Sequence, residues 1–101
     1  MTADYVEALV QEVRDLLGTS SVGLYEFVWV LRGLCPDESL DIMRDQAATA
    51  LRRLLATGEG RLVLLKWPSE DVVGPYEWER VQLTDWGDPN DRETYVAITR
   101  N

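Results

Sequence analysis

Apolar residues recur at intervals of three and four along the start of the chain, which is the repeat of an amphipathic α-helix. Thr2 precedes this stripe as a candidate N-cap and Gly18 follows it, so the pattern predicts a first helix over residues 3–17. The stripe comprises Val6, Leu9, Val10, Val13, Leu16 and Leu17.

The next segment, residues 21–34, is apolar nearly all round and carries charge only at Glu26 and Arg32. Ser20 or Ser21 is a candidate N-cap for a second helix there. A helix of this composition must be covered on most sides, so we expect it in the middle of the domain.

A third helix is predicted over residues 38–57. Asp37 or Ser39 is placed to cap its start, and the glycines at 58 and 60 end the periodic pattern. Its apolar stripe is formed by Leu40, Met43, Ala47, Ala50, Leu51 and Leu54.

Two segments have the composition of β-strands, which is rich in β-branched and large apolar residues. The first is "RLVLLKW", residues 61–67, in which Leu62 and Leu64 point one way while Val63 and Leu65 point the other. The second is "TYVAITR", residues 94–100.

Residues 68–93 between these strands are too many for a simple hairpin loop. Pro75 followed by Glu77 and Glu79 is typical of the first turn of a helix, so we expect a short fourth helix there. Alternation at Val81 and Leu83 allows a strand instead.

Three helices followed by two strands, as in "SVGLYEFVWVLRG" and "ALRRLLATGEGRLVLLKW", resemble the element order of winged helix-turn-helix domains. The resemblance implies an α+β fold of one domain, residues 1–101, with a small antiparallel wing sheet. The 68–93 insertion departs from the simple version, where a short loop joins the wing strands. An order of elements indicates a fold and leaves the function open.

Composition limits the classes of protein to which this chain can belong. With 46% hydrophobic residues it can bury a core, and no apolar run approaches the roughly 20 residues that span a bilayer. The N-terminus lacks the features of a secretory signal, and the single cysteine fits a reducing cytoplasm. We therefore expect a cytoplasmic protein without a membrane anchor.

Several catalytic chemistries lack the residues that they need. The chain has no histidine, which excludes Cys–His and Ser–His–Asp nucleophiles and Cys/His zinc sites. Cys35 is interpreted as a small buried group rather than a reactive thiol. Asp85, Asp88 and Asp91 do not have the spacing of a calcium loop. We therefore expect that the protein is not an enzyme and binds neither a cofactor nor a metal ion.

The net charge of −8 bears on the partner class, because nucleic acid and anionic membranes repel such a body. In the winged-helix resemblance the third helix would enter the major groove, yet its first turns carry Asp37, Glu38, Asp41 and Asp45. The candidate DNA-contacting residues are Arg44, Arg52, Arg53 and Arg61. We therefore expect nucleic acid to be a poorer partner than protein.

The four tryptophans have different expected roles. Trp29 lies on the apolar second helix and Trp67 on a strand, so both are predicted to be core residues. Trp78 and Trp86 belong to the insertion, where we expect them to anchor it to the core. The alternative is that Trp86 or Tyr76 is partly exposed as an interface aromatic.

The insertion holds eight acidic and two basic residues together with aromatic rings. This composition favours a non-catalytic protein-binding module that meets a basic partner, similar in composition to immunity proteins and antitoxins. The candidate partner-binding residues are Tyr76, Glu77, Glu79, Asp85, Trp86 and Asp88.

Two alternatives remain beside this hypothesis. One is a winged-helix transcription regulator, forming a homodimer through the first helix, whose outer face is predicted to include Tyr5. The other is a subunit of a larger assembly that has no separate activity.

Overall fold

The computed structural model describes residues 4–90 and 92–101, so the cap at Thr2 and Asp91 lie outside the described residues. The first helix begins at Val6 rather than at residue 3, because Asp4 and Tyr5 are not helical. Three α-helices and a four-stranded antiparallel sheet form an α+β arrangement consistent with a winged-helix-like layout. In chain order the elements are α1 (Val6–Leu17), β1 (Val22–Gly23), α2 (Leu24–Leu34), α3 (Leu40–Ala56), β2 (Gly60–Lys66), β3 (Val72–Pro75), 3-10 helices Trp78–Arg80 and Leu83–Trp86, and β4 (Thr94–Arg100).

Helix α1 buries the face that the periodicity predicted. Leu16 lies outside this face at the rim. Tyr5, expected on the outer face, is half-buried and packs against the core because it precedes α1 on the core side. The buried residues are Val6, Leu9, Val10, Val13 and Leu17.

Helix α2 begins three residues later than predicted, because Val22 and Gly23 pair with Ile98 and Ala97 of β4 as a short strand. Neither Ser20 nor Ser21 is the N-cap. Gly23 takes that position, and its backbone N–H donates a 2.6 Å hydrogen bond to the carboxylate of Glu26. A glutamate at the third helical position commonly satisfies an N-cap N–H in this way.

The expectation that α2 is covered on most sides was wrong on one face. Leu24, Phe27 and Leu31 are fully buried, but the side chain of Trp29 is 51% exposed. Trp29 is therefore not a core residue. On this face Trp29 contacts Tyr25 and Asp88, which cover only part of the indole.

Helix α3 begins two residues later and ends one residue earlier than the predicted 38–57, and its cap is one of the two predicted candidates. Ser39 is the N-cap, and its hydroxyl accepts a 3.3 Å hydrogen bond from the N–H of Ile42. Gly58 ends the helix with a φ of +75°, a conformation that favours glycine, while Glu59 N–H donates to Leu54 C=O. The predicted stripe is buried except for Leu40, which lies exposed at the first turn.

The strands form a sheet in the order β1-β4-β2-β3. Strand β4 has the predicted bounds, and β2 is shifted by one residue from its prediction. Leu62 opposite Ile98 joins the main core with the helices, whereas Val63 opposite Ala97 belongs to a second buried cluster. The alternation predicted for β2 is confirmed.

The insertion contains a strand that the sequence did not predict. Pro75 ends β3 rather than starting a helix, and two 3-10 helices follow. The alternative strand through Val81 and Leu83 does not form either. Strand β3 lies at the edge of the sheet, where a proline without a backbone N–H is tolerated.

No α-helix among residues 4–90 and 92–101 combines the length and apolar character needed to span a bilayer.

Candidate functional site

Trp86 anchors the insertion to the helices. Its side chain is only 5% exposed, and its ring meets that of Phe27 edge-to-face with centroids 6.0 Å apart. The anchoring role is confirmed. The alternative in which Trp86 is a partly exposed interface residue was wrong, because the second 3-10 helix carries the indole into the core.

Tyr76 and Asp85 hold the insertion together internally. The hydroxyl of Tyr76 donates a 3.1 Å hydrogen bond to the carbonyl of Arg80. The carboxylate of Asp85 accepts a 2.8 Å bond from Gln82 N–H and lies 3.5 Å from the guanidinium of Arg92. Burial, followed by the nearby Asp85 charge, raises the pKa of Tyr76. Both predicted partner-binding residues thus have structural contacts of their own.

The first 3-10 helix places Trp78 against the core, where it is half-buried with Val81, as the sequence suggested. The guanidinium carbon of Arg52 lies 5.8 Å from the centre of the Trp78 ring. Contacts of this kind stabilise by about 0.5–1 kcal/mol at exposed sites. They connect α3 to the insertion.

Residues 71–79 contain the edge strand β3 and several exposed side chains of the insertion, and we name them the edge segment. Val72 and Val73 are 62% and 58% exposed on the edge strand. Asp71, Glu77 and Glu79 are also exposed, and within the described part of the chain their carboxylates have neither a hydrogen bond nor an ion pair. Apolar and anionic groups therefore share one free edge.

A second feature combines the exposed ring of Trp29 with three half-buried aromatic rings and is named the Trp29 surface. Tyr25 is at its centre, with edge-to-face contacts to Trp29 at 4.9 Å, Trp67 at 5.8 Å and Tyr95 at 5.9 Å between ring centroids. Trp67 and Tyr95 also meet, at 5.4 Å. Trp67 is thus half-buried among aromatic rings and only partly the core residue that was expected.

Three carboxylates surround these rings. Glu26 is held by Gly23 N–H, Glu70 by Ser21 N–H at 2.8 Å, and Asp88 by the indole N–H of Trp29 at 2.9 Å. Burial first, and then the charge of Glu70, raises the pKa of Glu26 above its usual value. Burial also raises the pKa of Tyr25 to about 12, and the surrounding carboxylates add to that effect.

The four candidate DNA-contacting arginines lie against different elements. Arg53 forms a 2.9 Å ion pair with Glu7 of α1, while Arg52 contacts Trp78. Arg61 lies opposite Thr99 on the sheet face that points away from the helices. Arg44 lines a cavity of about 190 Å³ beside Trp29 and Trp86.

Helix α1 offers little apolar surface to a second copy of the chain. Its exposed side includes Gln11, Glu12, Arg14 and Asp15, together with Glu7, which is paired with Arg53. Two such faces would oppose like charges.

Cys35 is buried, and its thiol donates a 3.1 Å hydrogen bond to the carbonyl of Leu31. Burial raises its pKa, so the thiolate is disfavoured, in agreement with the structural interpretation of this residue. Among residues 4–90 and 92–101 no three His, Cys, Asp or Glu side chains are grouped so that they could hold a metal ion.

The sequence interpretation missed the Trp29 surface, since Tyr25, Trp29, Trp67 and Tyr95 come from three distant segments. One signal was present: Tyr25 and Trp29 are four residues apart, so they lie on the same helix face. Trp29 was instead predicted to be a core residue, because its helix is apolar.

No protein-family model matches the sequence, and no curated protein or solved structure matches it either.

Proposed function

We propose that this chain is a small non-catalytic protein-binding module, resembling immunity proteins and antitoxins in composition, whose insertion at residues 68–93 meets a basic protein partner. The edge segment is the observation that carries the proposal. It places Val72 and Val73 in solvent beside Asp71, Glu77 and Glu79. Exposed carboxylates speed the encounter with a basic partner, and apolar side chains contribute affinity once water is displaced.

Other candidate residues of the insertion have supporting roles in this proposal. Tyr76, Asp85 and Trp86 keep the insertion in shape through internal contacts. Glu77 and Glu79 remain the direct contacts, together with Asp71. The proposal also places the protein in a reducing compartment such as the cytoplasm, where a single buried thiol stays free.

The DNA-binding alternative has less support. Arg53 already neutralises Glu7, and Arg52 is engaged by an indole. A duplex would have to approach a body of net charge −8 through α3, where two of the three candidate arginines already contact groups of other segments. Gel shifts with genomic fragments at low salt, comparing wild type with Arg52→Glu/Arg53→Glu, test it; a salt-sensitive complex lost in the variant would revive it.

Affinity capture from the native host tests the proposed function, with co-purifying proteins quantified by mass spectrometry. The test variant is Glu77→Gln/Glu79→Gln, which removes two charges from the edge segment. The matched control is Glu12→Gln/Asp15→Asn, which removes two exposed charges from α1. We expect a basic protein to be captured by wild type and control and to be depleted with the test variant. Equal capture by all three contradicts the proposal.

A further inference from the structure

The Trp29 surface has the composition of a receptor for a cationic side chain. Its aromatic rings meet edge-to-face at interplanar angles of 70° to 88°. Tyr25, Trp67 and Tyr95 are half-buried. Half of the Trp29 side chain is open to solvent. A cation over an indole face is attracted by the negative potential of the ring, and arginine is the cation found there most often.

Each carboxylate around these rings is held by one hydrogen bond and keeps an oxygen that can accept another. Each accepts one structural N–H: Glu26 from Gly23, Glu70 from Ser21 and Asp88 from Trp29. The second oxygen of each carboxylate has no hydrogen-bond partner in the part of the chain that the structure describes, and none of the three is in an ion pair there. A ligand with several N–H donors would therefore find acceptors already oriented.

The charges that act on Tyr25 and Tyr95 are carboxylates, while Arg32 and Arg44 line the cavity beside Trp29 and Asp88. Burial is the main cause of the raised pKa of Tyr95, and the charges of Glu70 and Glu26 reinforce it. For Tyr25 the reinforcing groups include Glu26, Asp88 and Glu70. A cation bound here would relieve the mutual repulsion of these carboxylates, in addition to its contact with the rings.

We propose that the Trp29 surface is a docking site for an arginine side chain of the basic protein partner, stacked on the Trp29 indole and paired with Asp88. The inference rests on the proposed function and adds a second contact region, outside the edge segment. Arginine is favoured over lysine because its planar guanidinium is more weakly hydrated and carries five N–H donors. Charge complementarity identifies the occupant: the three carboxylates around Tyr25 outnumber the two arginines that line the cavity beside Trp29, so the surface keeps a net negative charge.

The experiment is an NMR titration that follows the indole N–H signals of ¹⁵N-labelled protein. The probes are the capped peptides acetyl-Gly-Arg-Gly-amide, its lysine counterpart and acetyl-Gly-Gly-Gly-amide. A Trp29→Phe variant assigns the Trp29 signal. We expect this signal to shift saturably with the arginine peptide, at a millimolar Kd, more weakly with the lysine peptide and not with the glycine peptide.

The matched variants are Glu26→Gln/Glu70→Gln at the surface and Glu77→Gln/Glu79→Gln at the edge segment. Each glutamine at 26 and 70 keeps an acceptor oxygen for Gly23 or Ser21. We expect the first pair to weaken the Kd for the arginine peptide roughly threefold to tenfold and the second pair to leave it within about twofold.

Three outcomes overturn the inference: no saturable shift of the Trp29 signal, equal weakening by both variant pairs, or lysine binding as tight as arginine. The titration needs no natural partner, so its failure is separate from a failure of the proposed function. If the peptides do not bind while capture still depends on Glu77 and Glu79, the edge segment alone is the interface.

Discussion

The indole N–H of Trp29, on α2, donates a 2.9 Å hydrogen bond to the carboxylate of Asp88, 59 residues further along the chain. The bond joins a helix to the end of the insertion. Together with Trp86 it determines how residues 83–88 lie against α2, and it holds the exposed indole in one orientation.

Replacing Asp88 should reveal what this bond contributes. Asp88→Ala removes the acceptor, and we expect the free energy of unfolding to fall by about 0.5–1.5 kcal/mol, because solvent replaces the partner of a half-exposed donor. Asp88→Asn keeps an acceptor oxygen and should lose less. Urea denaturation at neutral pH measures both, and an alanine variant as stable as wild type would mean that the bond is not stabilising.

Trp86 should dominate the stability of the insertion. Trp86→Ala leaves a large cavity next to Phe27, and we expect a loss of about 3–5 kcal/mol in the free energy of unfolding. Trp86→Phe keeps an aromatic ring, so its loss in the free energy of unfolding should be smaller. This variant can still be measured if the alanine variant does not fold. Leu83→Ala is the control in the same 3-10 helix, because Leu83 is 67% exposed and should change stability by less than about 0.5 kcal/mol. Similar losses at 83 and 86 would contradict the anchoring role.

Gly60 is needed for the close contact of β2 with β4. A Cβ at this position would lie 2.6 Å from Ile98 Cγ1 and 2.9 Å from the carbonyl oxygen of Thr99. We expect Gly60→Ala to cost about 1–3 kcal/mol through overpacking. Gly74→Ala, in β3, has nothing within 4 Å and serves as the control. Thermal unfolding compares them, and equal melting temperatures would refute the steric argument.

Glu26 should make stability depend on pH in a defined direction. Its folded-state pKa is raised, so the folded protein binds this proton more tightly than the unfolded chain, and its unfavourable contribution appears as pH rises through the folded pKa. Glu26→Gln should therefore raise the melting temperature relative to wild type at pH 7, and the difference should shrink towards zero near pH 4.

The comparison between variant and wild type isolates Glu26. Glu59, whose pKa is lowered mainly by the Arg14 hydrogen bond, acts in the opposite direction but is present in both proteins. Glu77→Gln, at an exposed side chain, is the charge-matched control. A stabilisation by Glu26→Gln that is the same at both pH values would show that burial and Glu70 do not govern this group.

Helices with one apolar stripe and clear caps could be predicted from the sequence. In α3, Ser39 and Gly58 mark the ends by local chemistry, and β4 follows from its β-branched composition. The start of α2 could not be predicted, because Val22 and Gly23 join β1 through pairing with a segment 75 residues away.

The burial of the tryptophans could not be predicted from local sequence either. Trp29 lies in the most apolar segment and is exposed, whereas Trp86 lies in a turn-rich acidic segment and is buried. Hydrophobic periodicity identifies which residues share a face, but which face is covered depends on contacts between distant segments. The Trp29 surface arises from such contacts, so it was not predicted, while the acidic edge segment could be read from local composition.

The salt dependence of the interaction with the captured partner tests the central claim most directly. The Kd would be measured by isothermal titration calorimetry at low and at high sodium chloride, for wild type and for Glu77→Gln/Glu79→Gln. We predict that salt weakens the binding of wild type strongly and that the variant binds more weakly at low salt with a shallower salt dependence. Identical affinities and identical salt dependence for the two proteins would contradict an electrostatic interface at the insertion.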